Sequence, residues 1–127
     1  IGHGITLVDD PDLMRFVADR QVALEICPSS NVQTKVVPSL EEHPIARIVD
    51  AGVPVTVNTD NRLFTRTSVT EELWRTHTRC GVPADHVREI VLNGFRHAFL
   101  PWPEKQELLR EVIAELPMPP SDLSPAG

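Results

Sequence analysis

Apolar positions along the chain switch between two spacings. After Asp10-Pro11, the residues Leu13, Phe16 and Val17 recur at helical intervals, which predicts a helix through about Arg20. Asp10 can cap the free backbone N–H groups, and Pro11 suits the first helical position. Val22-Ala23-Leu24-Glu25-Ile26-Cys27 is a short β-prone run that Pro28 ends. Ser29 to Ser39 is polar and reads as a loop leaving that strand. A second helix is predicted from Pro44, with Ile45, Ile48 and Val49 on one face and Gly52 just past its end. Val53 to Asn58 is the next strand, followed at once by Thr59-Asp60-Asn61.

Strand, polar loop, helix, strand is the order of parallel α/β architecture, in which crossover helices cover the sheet. Both strands are largely apolar, the pattern expected where both faces are buried. Beyond Asn61 the pattern is helical only. Ser68-Val69-Thr70-Glu71 is a capping box opening a helix that ends near Gly81. Val87, Ile90, Val91 and Phe95 share one face of a helix over 85–99. Pro101-Trp102-Pro103 breaks the chain, and Leu108, Leu109, Val112, Ile113 and Leu116 mark a last helix. From Pro117 the tail is proline-rich and predicted to be disordered. The division is therefore one unit over 1–116 and a tail over 117–127.

Composition narrows the function classes. Of 127 residues, 41% are hydrophobic and 24% charged, ordinary values for one globular unit. Twelve basic and eighteen acidic side chains leave a net charge of −6, which disfavours a nucleic-acid surface. No apolar run approaches the roughly 20 residues of a membrane span. Cys27 and Cys80 lack metal-pair spacing; a disulfide between them stays open, but two thiols without a secretory signal point to the cytoplasm. Polar residues gather just after the strands, at Ser29-Ser30-Asn31 and Asp60-Asn61. That is the active face of an eight-stranded α/β barrel, and equally the ligand edge of an open doubly wound sheet.

Three segments, in order and separated by helix-length stretches, carry a resemblance. Ile1-Gly2-His3-Gly4, Glu25-Ile26-Cys27-Pro28-Ser29-Ser30-Asn31 and Val57-Asn58-Thr59-Asp60-Asn61 resemble the last three strand ends of the adenosine deaminase family, within the amidohydrolase superfamily. His43-Pro44-Ile45 and the later helices look like the same family's final helices. The resemblance implies the C-terminal portion of a (β/α)8 barrel, from the ends of strands 6 to 8 onward, followed by C-terminal helices. The chain starts within an element and is expected to be a fragment of such an enzyme, with the N-terminal remainder of the barrel as its partner.

The same resemblance implies one zinc ion, held by two histidines on the first strand, one on the fifth and an aspartate on the eighth. Only the aspartate falls in this chain, at Asp60. A glutamate that protonates the purine would lie upstream of Ile1. His3 matches the histidine after the sixth strand, which is not a ligand but contacts the hydroxide on the metal and assists its attack on C6 of adenine. Zinc suits this chemistry because it brings the pKa of bound water to about 7, and an imidazole can hold or take a proton at working pH. Where a common form of the family has a second aspartate, this chain has Asn61. An amide is a neutral donor at every pH, so Asn61 can serve as the substrate-binding group for purine N7. Asn-Thr-Asp-Asn-Arg resembles a bacterial branch of the family.

The remaining side chains are given plain roles. Cys27 is expected to be a small buried hydrophobe. Ser29, Ser30 and Asn31 are expected to tie their loop to backbone, with lining of the pocket as the alternative, and His43 to start a helix. His77, His86 and His97 are assigned to solvent or packing, Trp74 and Trp102 to packing, and the acidic helix faces to solvent. The zinc deaminases of nucleic-acid bases carry His-x-Glu and Pro-Cys-x-x-Cys; neither occurs here. The expected activity of the parent is zinc-dependent deamination of adenosine or deoxyadenosine to the inosine product and ammonia. The alternatives are a related purine aminohydrolase acting on adenine or a modified adenosine, and a non-catalytic barrel fragment acting as a binding module. An upstream His-x-His and His-x-x-Glu would distinguish them. The 127 residues alone are expected to bind zinc poorly and not to turn over.

Overall fold

A computed structural model describes residues 1–118. A 3-10 turn, Ile5–Asp9, leads into α1, Pro11–Asp19, which starts where the Asp10 side chain accepts the Leu13 N–H. Strand β1, Leu24–Ile26, is followed directly by α2, Pro28–Gln33, then by α3, Ile45–Asp50, and β2, Val55–Val57. Four helices follow among the described residues: α4, Arg62–Thr65; α5, Val69–Thr78; α6, Ala84–Arg96; and α7, Trp102–Glu115. The tail assignment from Pro117 falls mainly on 119–127, outside the described residues.

The strands β1 and β2 pair in parallel, with Leu24 opposite Val55 and Ile26 opposite Val57. On the other side of β1 the first residues add a third parallel segment. Gly2 bridges Glu25, the His3 N–H donates to the Glu25 carbonyl at 2.9 Å, and the Glu25 N–H donates to the Ile1 carbonyl at 2.8 Å. All three segments therefore leave the sheet at the same rim.

One face of this sheet is the core. Leu24, Ile26, Val55 and Val57 bury against Ile5, Leu7, Val17, Ile45, Ile48 and Ile90. β1 differs from the expectation of strands buried on both faces, because Glu25 is exposed between two buried neighbours. Gly4 is needed where it stands: its φ is 69°, and a Cβ there would lie 3.0 Å from Leu24 Cδ2. Gly52, at φ 80°, follows the end of α3 as the pattern predicts.

Several expectations need correction. The stretch after Pro28 is not all loop, since Pro28 takes a first-turn position and α2 runs to Gln33. The Pro101-Trp102-Pro103 break is the start of α7, with prolines where no N–H is needed. Trp74 and Trp102 do not anchor packing among the described residues; they are 64% and 68% exposed. Glu72, on a helix face assigned to solvent, is wholly buried.

Glu72 fastens α5 to α2. Its carboxyl oxygens accept from the Ser29 backbone N–H at 3.0 Å, from Ser29 Oγ, and from Thr67 Oγ1 at 2.9 Å. Arg75 donates to Ser29 Oγ at 2.7 Å and reaches Glu72 at 3.5 Å. Glu72→Ala leaves these donors unmatched in a dry site, which is expected to cost about 3 kcal/mol. Urea unfolding of the full-length protein measures it. A loss under about 1 kcal/mol would show that water reaches the site.

Candidate active site

His3 and Asp60 come from different segments and meet at the rim. His3 follows the Gly2 bridge, and Asp60 lies three residues past the end of β2. His3 Nε2 and Asp60 Oδ2 are 3.9 Å apart, with side chains 47% and 41% exposed. Both residues sit in the left-handed region, at φ 55° and 57°. Such backbone costs on the order of 1 kcal/mol or more, and it gathers at functional sites. Asp and His tolerate it better than most side chains.

The Asp60 carboxylate is held by two donors. Ser30 Oγ donates to Oδ2 at 2.7 Å, and the Asn61 N–H donates to Oδ1 at 2.7 Å. These bonds, Ser30 first, hold its pKa below the usual carboxylate value, with a smaller contribution from His3. Asn61 caps α4, its Oδ1 accepting the Leu63 N–H at 3.0 Å. With the oxygen so engaged, the Asn61 amide presents its N–H donors at the exposed rim.

Ser29, Ser30 and Asn31 do more than tie a loop to backbone. Because α2 begins at Pro28, their side chains leave its first turn toward three partners far along the chain. Ser29 meets Glu72, Ser30 meets Asp60, and Asn31 Nδ2 lies 3.2 Å from His3 Nδ1. His43 backs this group: its Nε2 is 3.1 Å from Asn31 Oδ1, and its Nδ1 accepts the Ile45 N–H at 3.1 Å. His43 is thus the helix-start residue of the sequence reading and also a buried member of the site, 4% exposed. The local signal was the polar run directly after a strand; the partners were not readable. His77 packs through Nδ1 against the Val82 carbonyl at 2.8 Å, away from the rim.

Burial pulls the His43 pKa down to about 4 from 6.5, so the folded protein keeps it neutral. Between these values the unfolded chain binds a proton that the folded chain refuses. The stabilisation is fully present above about pH 6.5 and is lost as pH falls toward 4, a change on the order of 3 kcal/mol at about 1.4 per unit. Denaturation midpoints of wild type and His43→Gln across this window test it. Parallel pH dependences would rule His43 out as the source.

The donor set can be judged for a metal. Atoms of His3, Cys27 and Asp60 lie within 4.8 Å of one another. The Cys27 thiol is pushed up to about 11, by burial first and then by the charges of Asp60 and Glu72, so without a cation it stays protonated. Asp60, anionic, oriented and open to the rim, fits a cation such as zinc. A closed zinc site needs about four ligands, so the others must come from outside this group. Cys27 and Cys80 are both free and buried. No described helix is long and apolar enough to cross a membrane.

Known proteins resemble this chain in sequence and in fold. The profile of the adenosine deaminase family matches residues 1–115. An adenosine deaminase of Mycobacterium marinum is 38% identical over 124 residues, covering 89% of this chain and 34% of that protein. One from Enterococcus faecalis is 37% identical, covering 89% of this chain and 33% of its own length. The chain thus spans about a third of the curated relatives it matches. Among solved structures, an adenine deaminase from Arthrobacter aurescens superposes with a TM-score of 0.83 at 28% identity, covering 90% of this chain and 35% of that one. An amidohydrolase from Burkholderia ambifaria with bound zinc has the same fold over 89% of this chain and 35% of its own, with a TM-score of 0.75 at 21% identity. With a family match over nearly all its length, this chain belongs to the adenosine deaminase family.

Proposed function

We propose that the protein containing this chain removes the C6 amino group of adenosine or deoxyadenosine by hydrolysis, releasing ammonia and the inosine product. The observation that carries this reading is the convergence of His3 Nε2 and Asp60 Oδ2, 3.9 Å apart at the rim. Two groups at that separation can each lie about 2.8 Å from one shared oxygen. The three parallel segments correspond, in this reading, to strands 6 to 8 of a (β/α)8 barrel, with the earlier strands in the upstream part of the protein.

Asp60 would hold zinc, which when bound lowers the pKa of water to about 7. The chain's own residues hold and aim the attacking oxygen and the purine. Asp60, kept ionised by Ser30 and the Asn61 N–H, accepts a hydrogen bond from the attacking oxygen. His3 contacts the same oxygen from the other side and fixes its direction toward C6. Addition there, with a proton supplied to the purine ring by the glutamate expected upstream, gives a tetrahedral carbon; the oxygen's own proton, passed through Asp60, goes to the amino nitrogen, and ammonia leaves. Asn61 donates from its free amide, a neutral donor at every pH, to the acceptor N7 of the purine. The location proposed is the reducing cytoplasm, in keeping with two free thiols.

The rival is a related purine aminohydrolase, and the superposition on an adenine deaminase favours keeping it. A spectrophotometric comparison of adenosine, deoxyadenosine, adenine and an N6-methylated nucleotide with the full-length protein separates the readings. We expect adenosine or deoxyadenosine to have the highest kcat/KM. Preference for adenine would install the rival, and no turnover of any of them would favour a non-catalytic binding module. The isolated 127 residues, offering one anionic oxygen ligand at the rim, are expected to give no turnover with added zinc; activity well above background would refute this.

A further inference from the structure

The polar group behind His3 has a direction, and one end of it cannot be reversed. The Ile45 backbone N–H is always a donor, and it points at His43 Nδ1 from 3.1 Å. That nitrogen must therefore carry the lone pair. A neutral imidazole with a bare Nδ1 has its proton on Nε2, which faces Asn31 Oδ1 at 3.1 Å. Asn31 Oδ1 accepts this proton, so the amide turns its N–H toward His3 Nδ1 at 3.2 Å. The last ring must then hold a lone pair at Nδ1 and its proton at Nε2.

We propose that His43 and Asn31 are positioning residues that lock His3 in the Nε2–H tautomer, making it a hydrogen-bond donor at the rim and not a proton acceptor. The alternatives fail sterically and electrostatically. Turning the Asn31 amide over would set its N–H groups against the His43 Nε2–H. Moving the His43 proton to Nδ1 would set that against the Ile45 N–H. Asn31 and His43 are 3% and 4% exposed, so water is not at hand to satisfy either arrangement.

The inference rests on the proposed deaminase reading only for its purpose. His3 Nε2 and Asp60 Oδ2 share the rim with unlike roles, one donating and the other accepting. A hydroxide oxygen between them gives its hydrogen to Asp60 and accepts one from His3. It keeps a lone pair that can be directed outward, where C6 would stand. A bare Nε2 would compete with Asp60 for the same hydrogen and leave that lone pair unaimed.

The test uses the full-length protein with 15N-labelled histidines, reading each ring's tautomer by long-range 15N–1H correlation and assigning His3 by its loss in His3→Gln. In wild type, His3 and His43 should both show a bare Nδ1 and a protonated Nε2. Asn31→Asp keeps the size and still accepts from His43, but has no hydrogen for His3. Its His3 should move its proton to Nδ1, with kcat falling roughly 10²- to 10⁴-fold and KM within about threefold. His43→Gln, which can place a donor where Nε2 stood, should keep the His3 tautomer, and His43→Leu should lose it. The proposal is overturned if wild-type His3 carries its proton on Nδ1, or if the Asn31→Asp variant leaves the tautomer unchanged. The wild-type spectrum alone decides the first point, should a variant fail to fold. Correct tautomers without turnover of adenosine would sink the deaminase reading and leave the relay standing.

Discussion

Asp60→Ala in the full-length protein is expected to remove bound metal and turnover together. The Asp60 carboxylate is held below the usual pKa by Ser30 and the Asn61 N–H, and it is open to the rim. Losing a ligand outright should weaken metal binding by more than the 10- to 100-fold typical when a group that only supports a ligand is removed. Alanine at φ 57° adds backbone strain of its own. Asp60→Asn controls for this, because Asn accepts the left-handed region but brings no negative charge. Both variants should lose metal on dialysis, read by elemental analysis, and should fall in activity to the same extent. Normal zinc in either would mean that Asp60 is not a ligand.

His3→Ala is expected to have the opposite signature. His3 Nε2 stands 3.9 Å from the Asp60 carboxylate, and its Nδ1 is engaged by Asn31. A ring tied from behind by Asn31 suits positioning an oxygen better than binding a cation. Metal content should therefore stay near wild type while kcat falls roughly 10²- to 10⁴-fold, the range for a positioned acid–base side chain. His3→Asn, which tolerates φ 55° but cannot reach the oxygen, should match alanine. If the Asn variant were nearly as active as wild type, backbone strain and not the imidazole would explain the alanine result. Metal loss in His3→Ala would instead make His3 a ligand.

Local signals were readable because they act within a few residues. Asp10 caps α1 through the Leu13 N–H, and the Ser68 side chain accepts the Glu71 N–H at the start of α5. Gly52 ends α3 with positive φ. The helix α2 escaped because Ser and Asn favour turns over helix interiors and its six residues show no apolar period. Glu72 lies on an acidic helix, a pattern that predicts solvated surface. Its partners Ser29 and Thr67 lie 43 and 5 residues away, and the more distant one cannot be found by pattern. Trp74 and Trp102 erred the other way, since size alone does not say which helix face turns inward.

By itself the sequence determined the order of the two strands and of every helix but α2 and α4, the parallel α/β character, and the presence of His3, Asp60 and Asn61 just past three strand-like segments, because period, caps and motif spacing are properties of neighbouring residues. Only the tertiary structure decided which side chains those residues meet. The parallel pairing of Gly2 with Glu25 and of Ile26 with Val57 brings three chain ends to one rim. There Ser30 reaches across 30 residues to Asp60, and Asn31 across 28 to His3. Contacts over such separations are set by sheet register and burial, which no local pattern encodes.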